Sequence, residues 1–270
     1  MQATVLRHLS PRWQTYFIML LNQMGMDIRA RYLGTMLGVL WAILVPLLWT
    51  LIFAIVIVFV FRARLNVNSS PLDYVLFILC GMAPWMAFQE SLINASNSIV
   101  ANSNIVKNVP FPLEILPFSG LMTGLVGLAV NLVLVLCALV ISGRALSVSL
   151  LFLPVAVAIQ TLFALGWAFF LASLTVFVRD VSTSLTYLLM IILYLSPVVY
   201  DVSMMPDFLR GAAQYNPVTQ LIEMYRAVLY HDRLPDFAGV AYLIVFSAIV
   251  AILGVQFFRR TKPFFADFLA

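Results

Sequence analysis

Lysine is nearly missing from this sequence: among 270 residues only Lys107 and Lys262 are lysines, and neither follows a glycine. A nucleotide-binding P-loop needs a Gly-Lys-Ser/Thr step to cradle phosphates, so none can be written here. If ATP drives any process in which this chain takes part, another chain hydrolyses it. Histidine is as scarce. His8 and His231 fall on opposite sides of the expected topology and can share no site, and neither a Gly-x-Ser-x-Gly elbow nor a His-Glu-x-x-His helix is present. No catalytic set and no metal-ligand set emerges. The two cysteines, Cys80 and Cys137, each lie inside an apolar run without a nearby His or second Cys, and read as small hydrophobes rather than as a disulfide or a metal site. Charge is scarce too, at 10% of residues against 63% hydrophobic, with a mean hydropathy of +1.04. These values exclude a soluble enzyme and fit a polytopic membrane protein. The net charge of +4 sits mostly in short loops between apolar runs, which topology explains better than a nucleic-acid partner does. A ladder of carboxylates or histidines through the apolar runs is also lacking, which argues against proton-coupled transport. The first residues lack a short apolar core followed by a small-residue cleavage site, so no cleaved signal peptide is expected.

What is present is a set of six long apolar runs. A bilayer core of roughly 30 Å needs about 20 helical residues, and irregular backbone cannot face lipid, so each run is expected to be a helix. The expected fold is an all-α polytopic membrane protein, one transmembrane domain over residues 1–270, with spans near Leu37 to Phe61, Tyr74 to Ala95, Ile115 to Ile141, Leu151 to Val178, Ser184 to Tyr200 and Gly239 to Phe258. Six spans put both termini on one side. That side holds Arg7, Arg12, Arg29, Arg31, Lys107, Arg179, Arg259, Arg260 and Lys262, against Arg62, Arg64, Arg144, Arg210, Arg226 and Arg233 opposite, so both ends are expected to be cytoplasmic.

Three segments outside the spans stand out. Over residues 11–26, Trp13, Tyr16, Phe17, Leu20, Leu21 and Met24 recur at helical spacing, an amphipathic helix suited to the cytoplasmic interface or to the protein's own flank. Residues 97–108 set Ile99, Val100, Ile105 and Val106 among amides and hydroxyls, a surface helix able to press into a groove on another protein, or else a plain connector. Residues 201–236 are too apolar for a solvated loop, and Tyr215-Asn216-Pro217 breaks them in the middle, which predicts two short helices in a re-entrant hairpin or an extracytoplasmic cap. Within that segment Glu223 and Arg226 are three apart on one expected helix and can pair with each other, worth about 0.2–0.5 kcal/mol if exposed. Glu90 and Arg179-Asp180 are the other charges near membrane depth, the latter read as punctuating a cytoplasmic turn. Aromatics are abundant. Trp41, Trp49 and Phe53 share one helical repeat, and Tyr187, Tyr194 and Tyr200 recur in the fifth run; either they sit at the interfaces, as aromatics do by default, or they line a path for an amphipathic glycan.

Several ordered motifs run along the whole chain: Arg31-Tyr32-x-Gly34 leading to Leu37-Gly38-x-x-Trp41 and Pro46; Lys107-x-x-Pro110-Phe111-Pro112-x-Glu114-x-x-Pro117; Arg179-Asp180; Leu195-Ser196-Pro197-Val198-x-Tyr200; and Asn216-Pro217. In this order and on six spans, the sequence resembles the permease subunits of ATP-binding-cassette exporters for O-antigen, capsule and teichoic-acid polysaccharides, of the ABC-2 type. The resemblance implies a homodimer in the cytoplasmic membrane of a bacterium, with two separate ABC ATPase subunits that hold the ATP and Mg, and lipid-linked polysaccharide as cargo; this chain itself binds no cofactor. It implies an aromatic channel, to which Trp41, Trp49, Phe53, Tyr187, Tyr194 and Tyr200 are assigned. It implies a coupling helix at 97–108, with Ile99, Asn102, Asn104, Lys107 and Asn108 facing the ATPase. It also implies outer gate helices in 201–236, carrying Met205, Phe208, Tyr215, Asn216, Pro217, Glu223 and Arg226. An efflux permease for drugs or small lipids, and an ATP-independent glycolipid flippase or scaffold, remain alternatives.

Overall fold

The computed structural model describes residues 11–32, 36–56, 71–109, 111–144 and 147–269. His8, the side chains of Trp13 and of the Arg31-Tyr32-x-Gly34 motif, Pro110, and the stretch 57–70 with Arg62, Arg64 and the end of the first expected span lie outside the described residues. Every element described is helical: α1 (Pro11–Tyr32), α2 (Trp41–Ala54), α3 (Pro71–Ala101), α4 (Ser103–Asn108), α5 (Ile115–Ile141), α6 (Leu153–Phe177), α7 (Asp180–Leu195), α8 (Asp207–Gln214), α9 (Pro217–Leu229), α10 (Phe237–Thr261) and α11 (Phe265–Phe268), with short 3-10 turns between some of them. Among the described residues, four segments are long and apolar enough to cross a membrane: Pro71–Ala101, Ile115–Ile141, Val148–Phe177 and Phe237–Phe268. The helices in the first and fifth apolar runs, α2 and α7, are shorter, at 14 and 16 residues.

Helix α3 is the centre of the bundle. It touches α2, α5, α6, α7 and α9, which is why its apolar residues surround the helix instead of forming one stripe. Tyr74, Phe77, Ile78, Cys80, Trp85, Phe88, Leu92 and Ala95 are all buried. Small residues let α5 approach it: a Cβ on Gly120 would lie 2.6 Å from the Ala95 nitrogen, and one on Gly124 would meet the Ser91 hydroxyl. At one end of the bundle a separate cluster joins Ile99, Leu116, Phe169, Phe258 and Phe265, beside an ion pair of 2.8 Å between Lys262 and Glu114. At the other end Arg144 pairs with Asp73 at 2.9 Å, donates to the Tyr230 carbonyl at 2.9 Å and lies 4.5 Å over the Tyr230 ring.

The N-terminal helix continues six residues past its expected end and packs along α5, with Gln23 buried while Tyr16 and Phe17 of its apolar stripe stay exposed. Helix α7 ends at Leu195, because Pro197 disfavours helix at Ser196. Tyr200, expected on the face of Tyr187 and Tyr194, is therefore in the following loop, with its hydroxyl donating to the Tyr194 carbonyl at 2.8 Å. Arg179 and Asp180 form the turn between α6 and α7, where the Asp180 carboxylate favours the α7 N-terminus.

The segment 201–236 breaks where its Tyr215-Asn216-Pro217 step requires. Asn216 caps α9 by accepting from the Val218 amide at 2.9 Å, Pro217 occupies the first helical turn, and the Asn216 amide donates to the Ser196 hydroxyl at 2.9 Å. Asn216→Ala is expected to cost about 1 kcal/mol for the cap, measured as a lower melting temperature of the purified protein, with a further loss from the freed Ser196. Helix α9 does not lie on the surface. Val218, Leu221, Ile222, Met224, Tyr225, Val228 and Leu229 are buried against α3, α6 and α10. The expected Glu223–Arg226 pair forms at 3.1 Å, with Arg226 0% exposed and only the Glu223 carboxylate reaching solvent. A three-residue spacing shows that two side chains can meet, and does not show which of them faces the core.

Candidate functional site

A cleft of about 910 Å³ is bounded by α2, α3, α5 and α7, with Asp27 of α1 also lining it. Each helix contributes one face. Helix α2 offers Trp41, Val45 and Trp49 at four-residue spacing, and α7 offers Tyr187, Met190 and Tyr194 at spacings of three and four. Facing them, α3 presents Met82, Met86, Glu90, Asn94 and Asn97, while the α5 face is Gly120, Thr123, Gly127 and Asn131. The glycines recess that wall: a Cβ on Gly127 would lie 3.0 Å from the Glu90 carboxylate. One side of the cleft is thus aromatic and the other carries amides and carboxylates. Asp27 is fixed by two donors, Gln23 at 3.0 Å and the Ser119 hydroxyl at 2.5 Å, so the N-terminal helix is tied to α5 at the cleft.

Four of the six aromatics assigned to a channel, Trp41, Trp49, Tyr187 and Tyr194, meet in this cleft and are exposed. Phe53 and Tyr200 do not line it. Phe53 is 6% exposed and packs behind the wall, 5.8 Å from the Trp49 ring and 6.4 Å from that of Tyr194. The polar half was not read as a site from sequence, although Glu90 was noted and Asn131 is an amide inside an otherwise apolar run. That isolation was the available signal, since a polar residue at membrane depth usually has a partner or a duty.

The segment 97–108 is not one helix. Residues Asn97–Ala101 finish α3, the chain turns at Asn102, and α4 starts at Ser103. Ile99 is 0% exposed within the Phe169–Phe258 cluster, so it cannot press into a partner, a correction to its assignment. The reason is register: Ile99 lies on the α3 face that already covers the core. Asn102 donates to the Ser98 carbonyl at 2.8 Å and lines the cleft, whereas Asn104, Lys107 and Asn108 are exposed on α4. Beside α4, a second hollow of about 310 Å³ lies between Val106, Val109, Phe111 and Leu113 and the C-terminal residues Lys262, Pro263 and Ala266.

In the segment 201–236, Met205 is buried while Phe208 and Tyr215 are exposed, and the Tyr215 carbonyl accepts from the Tyr242 hydroxyl at 2.6 Å. Arg226 joins α9 to the loop at the end of α7. Its guanidinium donates to the carbonyls of Pro197 and Val198, both at 2.6 Å, and lies 3.6 Å over the Phe77 ring of α3. The Ser196-Pro197-Val198 motif is thus the acceptor site for one buried arginine.

Residues 23–230 match the family described as ABC-2 type transporter. Over 244 residues, 90% of this chain and 92% of the relative, the sequence is 28% identical to an O-antigen export system permease protein RfbA of Klebsiella pneumoniae. It is also 28% identical to the protein of the same name from Myxococcus xanthus, over 92% of this chain and 94% of the relative. To the capsule polysaccharide export inner-membrane protein CtrC of Neisseria meningitidis it is 24% identical, over 87% of each chain.

Proposed function

The chain belongs to the ABC-2 type transporter family, and from that premise we propose that it is the membrane subunit of an ATP-driven exporter of lipid-linked polysaccharide. It works as a homodimer with two separate ABC ATPase subunits, which hold ATP and Mg, in the cytoplasmic membrane of a bacterium. The observation that carries this reading is the cleft: flat aromatic faces from α2 and α7 opposite amides of α3 and α5 suit a chain of sugar rings, whose faces stack and whose edges hydrogen-bond. The printed roles of its relatives in O-antigen and capsule export support the same cargo.

The six crossings are α2, α3, α5, α6, α7 and α10, with both termini cytoplasmic and α1 at the cytoplasmic interface. At about 1.5 Å per residue, α7 is about 24 Å long, short of the roughly 30 Å hydrocarbon core. The missing length of the fifth crossing is irregular backbone at Ser196–Tyr200. Such backbone is tolerated at depth only where protein satisfies it, and Arg226 does so. Closure of the partner ATPases moves α4 through its exposed Asn104, Lys107 and Asn108, and the two copies of α2 and α7 then part into a continuous channel capped by the hairpin. Such coupling requires that the α4 contact differ in strength between the closed and open states.

Deleting the gene tests the reading: lipid-linked polysaccharide is expected to accumulate on the cytoplasmic side with none at the surface, by fractionation and glycan blotting. Complementing with Tyr187→Ala/Tyr194→Ala is expected to restore normal protein levels but an export rate lower by about ten-fold, the loss of about 1.4 kcal/mol of stacking. Normal surface glycan together with drug sensitivity would point to small-molecule efflux. Export that survives loss of every ABC ATPase would point to a flippase.

A further inference from the structure

We propose that the hollow between α4 and the C-terminal residues receives one aromatic side chain of the ABC ATPase subunit, flanked on the ATPase by carboxylates. The proposal rests on the reading of the chain as an exporter's membrane subunit, and adds that the end of α10 takes the ATPase's motion together with α4. Val106, Val109 and Phe111 line one side of the hollow, and Pro263 and Ala266 the other. Both walls are fixed in advance. Leu113 and Phe265 belong to one buried cluster, with the Phe265 ring 5.4 Å from that of Phe258 and 6.1 Å from that of Phe177. Lys262 holds Glu114 at 2.8 Å across the join. An entering side chain therefore meets a preformed pocket, and little ordering cost is set against its binding.

Position, size and charge choose the occupant. The stretch of α10 from Phe237 to Phe258 is about 33 Å long at about 1.5 Å per residue, enough to cross the hydrocarbon core. Arg259 and Arg260 follow at once and are exposed, as cations at a membrane boundary are. Lys262 to Ala266 thus lie beyond the core, where water and not lipid tails faces the hollow. At about 310 Å³ it is a small site, the size for a single anchor, and protein interfaces concentrate their energy in aromatic side chains that fill such pockets. Among the described residues beside it, Lys107, Arg259 and Arg260 are exposed and Lys262 is half-buried, against the carboxylates of Asp267 and of Glu114, the latter already held by Lys262. A face with carboxylates beside its anchor complements that excess of cations, whereas a second copy of this chain would bring the same cations. A lipid headgroup answers the cations and leaves the apolar hollow empty. Each wall leads to a different part of the bundle: α4 follows α3, and α10 meets α6 at Gly254 and Gly166. A side chain seated between the walls moves α3 and the α6–α10 pair together.

The test places photoreactive p-benzoylphenylalanine at Asp267, exposed beside the hollow, and in a parallel strain at Asn104 of α4, in the otherwise intact chain expressed in its own host. After irradiation, adducts are purified through a tag on the permease and identified by mass spectrometry. The expected result at both positions is an adduct with a protein that carries a P-loop. An ATPase adduct from Asn104 with none from Asp267, or Asp267 adducts with lipid or a second copy alone, overturns the proposal. If neither position captures an ATPase, the exporter reading itself fails, and the docking site with it. Ala266→Trp fills the hollow from an exposed position. It is expected to melt like wild type while less ATPase copurifies and export falls by about ten-fold. Wild-type export and ATPase recovery by this variant overturn the proposal whatever the adducts. If Ala266→Trp melts lower than wild type, Val109→Trp, also exposed, fills the hollow from the opposite wall and decides on the same readouts.

Discussion

Arg226→Ala is expected to destabilise the folded protein by about 2–5 kcal/mol, because each buried acceptor left without its donor costs on the order of 1–3 kcal/mol. The guanidinium is wholly buried and serves the carbonyls of Pro197 and Val198 and the Glu223 carboxylate at once. Alanine leaves those acceptors without their donor, two of them on irregular backbone. Gly81 shows how closely the site is built: a Cβ there would come within 2.7 Å of Arg226 Nη2. Arg226→Lys keeps the charge, but a single ammonium cannot reproduce the planar fork, so it should fall between alanine and wild type. Heating the purified variants in detergent decides the matter; a melting temperature for Arg226→Ala equal to that of wild type would refute the assignment. Export should fall along with stability, because the end of α7 that carries Tyr194 is tied to the hairpin through this side chain.

Gly254→Leu is expected to cost about 3 kcal/mol, at the upper end of overpacking effects. Helices α6 and α10 meet backbone to backbone: a Cβ on Gly254 would fall on the carbonyl of Gly166, and one on Gly166 would fall on the backbone of Val250. No side-chain rotation relieves such a clash, so the helices themselves must separate. Close approach of small residues is what holds helices together where lipid removes the hydrophobic incentive to pair. Gly211→Ala is the control, since nothing lies within 4 Å of a Cβ there. The control should accumulate and melt like wild type, whereas Gly254→Leu should accumulate poorly in membranes. Equal accumulation of the two would show that α6 and α10 are not held at this point.

The helices were legible because their signals are local. The expected Ile115–Ile141 run is α5 residue for residue, and the Asn216-Pro217 step ends one hairpin helix and starts the next. The cleft was half legible. Trp41 and Trp49 share one repeat and Tyr187 and Tyr194 another, but nothing in either repeat shows that the two helices face each other. Phe53 continues the first repeat and still lies behind the wall, because Trp49 and Tyr194 close over it. Ile99 defeated the reading because α3 is packed on several sides, so its apolar residues do not sort into one face.

By itself the sequence determined that the chain is an all-helical membrane protein without a P-loop of its own, where its helices run, and where proline and glycine interrupt them. Those properties depend on consecutive residues, through hydropathy, turn chemistry and the missing Gly-Lys step. Only the tertiary structure decided which face of each apolar helix is core and which is cleft, and that Arg226 serves the Ser196-Pro197-Val198 loop. When a helix is apolar all round, its periodicity carries no record of what it faces, and the partner that settles the question can lie far along the chain, as Pro197 lies 29 residues from Arg226.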